Sequence, residues 1–298
     1  MSPEFETVVL KEFPAIHSRV YTTEQGTHYL QGPGVVLIAA PSVNLEGMRD
    51  FLRGFPADNS FADYLDDPVS LPPAEQLSKT AGQTCYASFG PKRTYNQDAG
   101  RYIGNIITSG HGSVLEHANF SVLMYGVSRD CTHELVRHRA GMAYSQLSQR
   151  YVGDNVLRFV ERLEYQNDPE LHGLFLNRID RAKREYEEVT EKLLQRQQEG
   201  DVIVSAEAQT DRRKKVRQAA RSLLPNETEA SIIVTGNVRA WRHVISMRAN
   251  EHADIEIRRV MFNTFLVLKK VAPVLFSDYE MISLPDGTGS VKTLFPKV

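Results

Sequence analysis

Apolar residues are arranged in two ways along this chain, and each arrangement predicts a different kind of element. The run Val35-Val36-Leu37-Ile38-Ala39-Ala40 is continuous and stops at Pro41, which predicts a buried strand. Residues 119–127 alternate instead, with Phe120, Val122 and Met124 on one side, the period of a strand buried on one face. Helical spacing takes over later. A short helix is expected over 131–139. Asp168, Pro169 and Glu170 offer an N-cap, a proline at the first helical position and an early acid, and Leu171, Leu174, Phe175, Ile179, Ala182, Tyr186, Val189 and Leu193 then recur at helical spacing up to Gly200. Two more helical stretches follow, 211–224 closed by Pro225 and 237–270 with Ile257, Val260, Met261, Phe265, Leu268 and Val271 on one stripe. Weak β-like runs at 7–10 and 19–23 among glycines read as an ordered extension over 1–34, ahead of a single domain over 35–298. Pro56, Pro68, Pro72 and Pro73 mark 41–75 as a long connection. Strands come early and helices late, so the fold class is α+β, with helices segregated from an antiparallel sheet.

Charge narrows the function. The 298 residues carry 35 Lys and Arg against 37 Asp and Glu, a net charge of −2 that exerts no general pull on nucleic acid. No window reaches the roughly 18 to 20 apolar residues that span a bilayer, and Glu4, Glu6 and Glu12 do not suit a signal peptide, so a cytoplasmic protein without membrane or nucleic-acid partners is expected. Cys85 and Cys131 are too few for a disulfide framework and read as small buried thiols of a reducing compartment. His133 and His138 superficially suggest a zinc helix, but five residues turn a helix through about 140°, whereas zinc needs histidines four apart on one face, so no metal is expected. Neither a dinucleotide fingerprint nor a P-loop is present, and any nucleotide must bind by other means.

The unusual feature is arginine placement. Arg137 and Arg139 flank His138, Arg150 ends the segment 145–150, and Arg221, Arg239, Arg242 and Arg248 fall on later helical segments. A guanidinium suits planar, bidentate contacts, and Arg150 with the Ser148 hydroxyl can grip a phosphate dianion. By itself each such arginine also reads as a solvated side chain paired with a local acid. The run 212–215 (RRKK) reads as a solvated helix face. His111-Gly112-Ser113-Val114-Leu115-Glu116-His117 reads as a capping box, and the segment starting Thr235-Gly236-Asn237 as a capped helix start with Trp241 in the core.

Taken in order, AGQTCY (81–86), HGSVLEH (111–117), RHR (137–139), SQLSQRY (145–151), AARSLLP (219–225), TGNVRAWRHVISMR (235–248) and EHADIEIR (251–258) resemble the flavin-dependent thymidylate synthase family. The resemblance implies an antiparallel sheet with long helices, assembled as a homotetramer whose active sites lie where subunits meet. It implies FAD contacts at His111, Ser113, Glu116, Arg137, His138, Arg139, Asn237, Arg239 and His243. It implies nucleotide contacts at Glu134, Arg137, Gln146, Ser148, Arg150, Arg221 and Arg248, with Arg248 and Arg137 in the catalytic part. The implied reaction is reductive methylation of uracil C5 in dUMP or UMP, with NADPH and methylenetetrahydrofolate as co-substrates. No cysteine needs to attack the base, in keeping with the apolar surroundings expected for both thiols.

The chain departs from the family pattern in one place. Eight residues, not seven, separate RHR from Ser148, and the extra one lies within 140–144, where Gly141 tolerates a kink. This fits the UMP C5-methylase branch of nucleoside-antibiotic pathways, because a pocket rejects one added hydroxyl only weakly. The alternatives are an inactive member that still binds FAD and nucleotide, or a nucleic-acid-binding module, which the slightly acidic balance and the single tryptophan disfavour.

Overall fold

A computed structural model describes residues 13–151, 153, 156–206 and 208–298; the β-like run at 7–10 lies outside them. The chain opens with strands β1 (Ala15–Ile16), β2 (Val20–Thr22), β3 (His28–Leu30) and β4 (Gly34–Ala39), then helices α1 (Arg49–Arg53), α2 (Pro73–Cys85) and α3 (Ala99–Thr108). Strand β5 (Asn119–Tyr125), helix α4 (Arg129–Leu135), strands β6 (Met142–Gln146) and β7 (Arg158–Val160), and helices α5 (Leu163–Gln166), α6 (Pro169–Gln198) and α7 (Gln209–Ala220) follow. Strand β8 (Ile232–Asn237), helices α8 (Val238–Arg248) and α9 (Ile255–Val271), and the hairpin β9 (Glu280–Ser283) and β10 (Gly289–Lys292) complete it.

Five strands form an antiparallel sheet in the order β1-β4-β5-β8-β6. The alternation of period two sends Val35, Leu37, Phe120, Val122, Met124, Ile232 and Val234 to one face, where they join Trp241, Val244, Ile257, Val260, Met261 and Phe265 in the main core. The opposite face stays open: Ile38 is 41% and Ile233 39% exposed. The run at 35–40 is therefore a half-buried strand, not the fully buried one expected from its continuous apolar sequence. Helices pack on the covered face, although they alternate with strands along the chain.

Residues 13–34 are woven into this architecture. β1 adds an edge to the sheet, and β3 pairs antiparallel with β2 and parallel with β7. A second cluster of Tyr29, Phe159, Phe175, Ile179 and Ala182 joins that small sheet to α6. Asp168 caps α6 as its sequence predicts, accepting from the backbone N–H of Glu170 and Leu171. The apolar stripe of α6 is buried only from Phe175 to Tyr186, whereas Leu174 and Leu194 are exposed.

Three boundaries differ from the sequence expectation. The connection 41–75 carries α1 and short 3-10 turns around its own core of Leu52, Tyr64 and Phe89. The helix expected over 131–139 starts at Arg129 and stops at Leu135, since the Tyr144 hydroxyl sits on the carbonyls of Leu135 and His138 and holds the chain in a turn. The stretch 237–270 breaks at 249–254, where Asn250 accepts from the His252 N–H and Asp254 caps α9 through the Glu256 N–H, local bonds that compete with a continuous helix.

Candidate active site

Register gathers the motif residues. Asn119 lies opposite Asn237, and Met142 opposite Gly236, so the end of the 111–117 segment, the start of α8 and the turn 137–141 meet at one end of the sheet. Asn237 uses its side-chain oxygen to cap α8 at the Ala240 N–H, 2.8 Å. Gly141 has a φ of +69°, and a Cβ there would lie 2.8 Å from the Asn237 amide and 2.9 Å from the Ala240 methyl, so the turn next to RHR is built for glycine.

Arg248, the last residue of α8 and about 15 Å along the helix from its start at Val238, makes two directed bonds. Its Nη1 donates to Glu134 Oε2 at 2.8 Å and its Nε donates to His138 Nε2 at 2.9 Å. A nitrogen that accepts carries no proton, so His138 is the neutral tautomer with its proton on Nδ1. Its pKa is held below the usual 6.5 by partial burial first, then by Arg248, His243 and Arg137. The His243 ring stands edge-on to His138, 6.3 Å away. Arg137 and Arg139 are exposed and have no carboxylate at ion-pair distance among the described residues.

At the other end of α8, nine residues before Arg248, Arg239 Nη1 donates to Glu116 Oε1 at 2.6 Å. The capping box expected at 111–117 is not formed: Ser113 and Glu116 lie within a 3-10 turn with no side-chain cap, and Glu116 is turned to Arg239. Arg239, His111, Gly112 and Ser113 line a cleft of about 360 Å³ with Cys85, Tyr86 and Tyr102. A Cβ on Gly112 would come within 2.8 Å of Arg239 Nε, so this glycine keeps the cleft wall open. Cys85 is exposed in that cleft, which corrects its expected burial, whereas Cys131 is buried and burial pushes its thiol well above the usual range. Tyr86, the last residue of the AGQTCY motif, was given no contact by sequence and Tyr102 was not singled out; Tyr86 is 74% exposed, unusual for an aromatic.

The remaining positions lie elsewhere. Gln146 pairs with Ile232 at the far end of β6, roughly 14 Å along the strand from Met142 at about 3.4 Å per residue. Ser148 and Arg150 continue from there, with the Arg150 N–H 3.4 Å from the Ser148 hydroxyl. Arg150 has no carboxylate partner among the described residues; its Nε is buried without an acceptor, and its guanidinium lies 5.9 Å from the Tyr151 ring centre. Leu147, Gln149 and Leu224 share a small cleft, which brings Arg221, three residues before Leu224, to the same end. His111, Ser113, Glu116, Arg137, Arg139, Asn237 and Arg239 thus lie towards the start of α8, His138 with His243 beside it and Glu134 are tied to Arg248 at the other end of that helix, and Gln146, Ser148, Arg150 and Arg221 lie at and beyond the far end of β6. Arg242 belongs to neither set: fully buried, it holds Asp278 at 2.7 and 2.9 Å and the carbonyls of Leu275 and Val298.

Comparison with known proteins agrees with the order of these motifs. Residues 69–274 match the family Thy1, thymidylate synthase complementing protein. A flavin-dependent thymidylate synthase of Mycolicibacterium gilvum is 46% identical over 212 residues, 71% of this chain and 82% of the relative. Another, of Mycobacterium avium, is 46% identical over 251 residues, 84% of this chain and 94% of the relative. Among solved structures, a UMP/dUMP methylase, PolB from Streptomyces cacaoi bound with 5-Br dUMP, is similar in fold with a TM-score of 0.56 and 19% identity, covering 83% of this chain and 94% of that one.

Proposed function

The chain belongs to the flavin-dependent thymidylate synthase family and is a methyltransferase; from that premise we propose that it methylates uracil C5 of a uridine monophosphate reductively, with FAD, NADPH and methylenetetrahydrofolate. The observation that carries this reading is the Glu134-Arg248-His138 triangle at one end of α8 together with the glycine-walled cleft of Arg239 at the other, both made from family motifs. The cleft wall left open at Gly112 suits a flat cofactor, and His111, Ser113, Arg239 and the exposed Tyr86 ring are the groups that would hold it. FAD supplies hydride transfer when bound.

This chain's own residues then bind and polarise. Arg150 and Ser148 take the phosphate, with Arg221 adding charge from the neighbouring turn. Arg248, fixed in direction by Glu134 and by the unprotonated Nε2 of His138, presents its remaining N–H groups to negative charge developing on the uracil oxygens. Arg137, exposed next to His138, adds a second positive group.

The placement of the Arg239 cleft and Arg248 at opposite ends of α8, about 14 Å apart along the helix, supports a site completed by a second copy, and so the homotetramer. The open sheet face with Ile38 and Ile233 gives such an assembly apolar surface to cover. The extra residue in 140–144, with Gly141 at φ +69°, favours a pocket that takes UMP as well as dUMP. The test is incubation with NADPH, methylenetetrahydrofolate and either nucleotide, with the 5-methyl product read by mass, alongside FAD uptake and sedimentation. A colourless monomer with no product would overturn the reading; product from dUMP alone would remove UMP from it.

A further inference from the structure

A roomy cleft lies away from the motif residues. It encloses about 520 Å³ between the N-terminal segments 16–21 and 31–33, the C-terminal turn 286–289 and the outer side of α9. Most of its wall lies outside residues 69–274, so family membership leaves it without a role.

Its chemistry is uneven. Arg259 projects from α9 into the cleft and donates only to the Gln31 carbonyl, through two long bonds of 3.3 Å. The acids nearest it are committed: Glu164 to Arg162, Glu256 to the Ser128 hydroxyl and N–H, and Asp286, at the cleft rim, to Arg258 and to the Thr288 N–H and hydroxyl. Burial is the largest influence on Arg259 and disfavours its charge, with only distant acids opposing it. Gly32 is the residue facing it, where a Cβ would stand 2.7 Å from the guanidinium. Across the cleft, Arg19 is exposed over the Tyr21 ring, 5.1 Å from its centre, and pairs with no carboxylate among the described residues. His17 and Ser18 are held at the rim by the Tyr125 hydroxyl. Phe262 and Tyr21, whose ring stacks on Tyr29 at 5.4 Å, also line it.

A half-buried guanidinium that lacks a counter-ion is costly to keep, and two arginines beside aromatic walls match a planar molecule with an oxyanion at one end. We propose that this cleft is a second binding site, separate from the active site, for a small aromatic oxyanion whose phosphate or carboxylate lies between Arg259 and Arg19 and whose ring lies against Tyr21 and Phe262. Its volume falls within the range of small-molecule sites and is too small for a polymer.

The test is calorimetric titration of the full chain with phenyl phosphate and, in parallel, benzoate, which separates the two oxyanion classes. With the active site saturated by dUMP, binding of at least one probe is expected, weakened at least tenfold by Arg259→Gln and severalfold by Arg19→Ala. Absence of binding of both probes under that condition, or binding that survives Arg259→Gln, would each overturn the proposal. Because Arg259→Gln risks the fold, hydrogen exchange of the unaltered chain gives an independent reading: the bound probe should slow exchange in 16–21 and 286–290, and unchanged rates there with saturating probe count against the site.

Discussion

The arginines of α8 and those beyond the end of β6 are held differently. On α8, Arg239 and Arg248 are each pinned to an acid of the same chain, Glu116 and Glu134. At the Gln146 end, Arg150 and Arg221 have no carboxylate partner among the described residues, and Arg150 carries a buried Nε with nothing to donate to. A pinned guanidinium has its direction set and its charge partly offset before any ligand arrives, which suits orientation of a reacting group. An unpinned one keeps its full charge for a dianion and loses little by waiting if solvent reaches it. On the proposed function the contrast separates polarisation from anchoring, and each half is open to attack.

The largest effect is expected in the pinned half. Arg248→Gln removes the charge while keeping a comparable polar side chain, and kcat should fall by about 10² to 10³, the loss typical for a preorganised group facing developing charge, with KM for the nucleotide moving less. A fall in affinity alone, with kcat intact, would make Arg248 an anchor and erase the distinction. Next comes Arg150→Ala, which should weaken nucleotide binding by about 1.5 to 3 kcal/mol through loss of a charge-assisted bond, with folding almost unchanged; titration of dUMP and UMP reads it directly.

A pH profile sharpens the pinned half further. The His138 pKa in the folded chain lies below 6.5, so between those two values the unfolded chain binds more protons and stability rises with pH. The contribution of neutral His138 is therefore complete above pH 6.5 and is lost as pH falls through its folded pKa, when protonated Nε2 can no longer accept from Arg248. Activity should fall on the acid side with that titration, followed by proton NMR of the His138 ring, and His138→Gln should flatten it. The smallest effect is assigned to Glu116→Gln. Its pair with Arg239 is exposed on both sides, so thermal denaturation should register a stability change within about 1 kcal/mol, and any larger response would lie in flavin affinity.

Elements with strong local signals were legible in the sequence. The alternation of Phe120, Val122 and Met124 and the Asp168 cap with Pro169 both state their structure within a few residues. What remained hidden depended on partners distant in sequence. Nothing around Leu135 announces that the Tyr144 hydroxyl ends the helix there, and the break at 249–254 rests on side chains of Asn250 and Asp254 that also sit acceptably in helices. The motif order brought out the candidate site residues, but not that Glu116 and Glu134 take up Arg239 and Arg248, because pairs 123 and 114 residues apart leave no local trace. Cys85 misled for a related reason: its neighbours are small, and only the approach of the 111–114 segment shows that it lines an open cleft.

The parallel pairing of β3 with β7 has a consequence for the order of folding. It joins His28 to Arg158, some 130 residues apart, whereas β2 and β3 close a hairpin over 6. Loop-closure entropy sets the first contact at about 4 kcal/mol and the second at under 2, so β3 forms its hairpin early and waits for β7 until the central sheet has shortened the path between them. The N-terminal layer is thus a late-docking unit whose amides should exchange through openings smaller than global unfolding, leaving the central sheet and α9 intact.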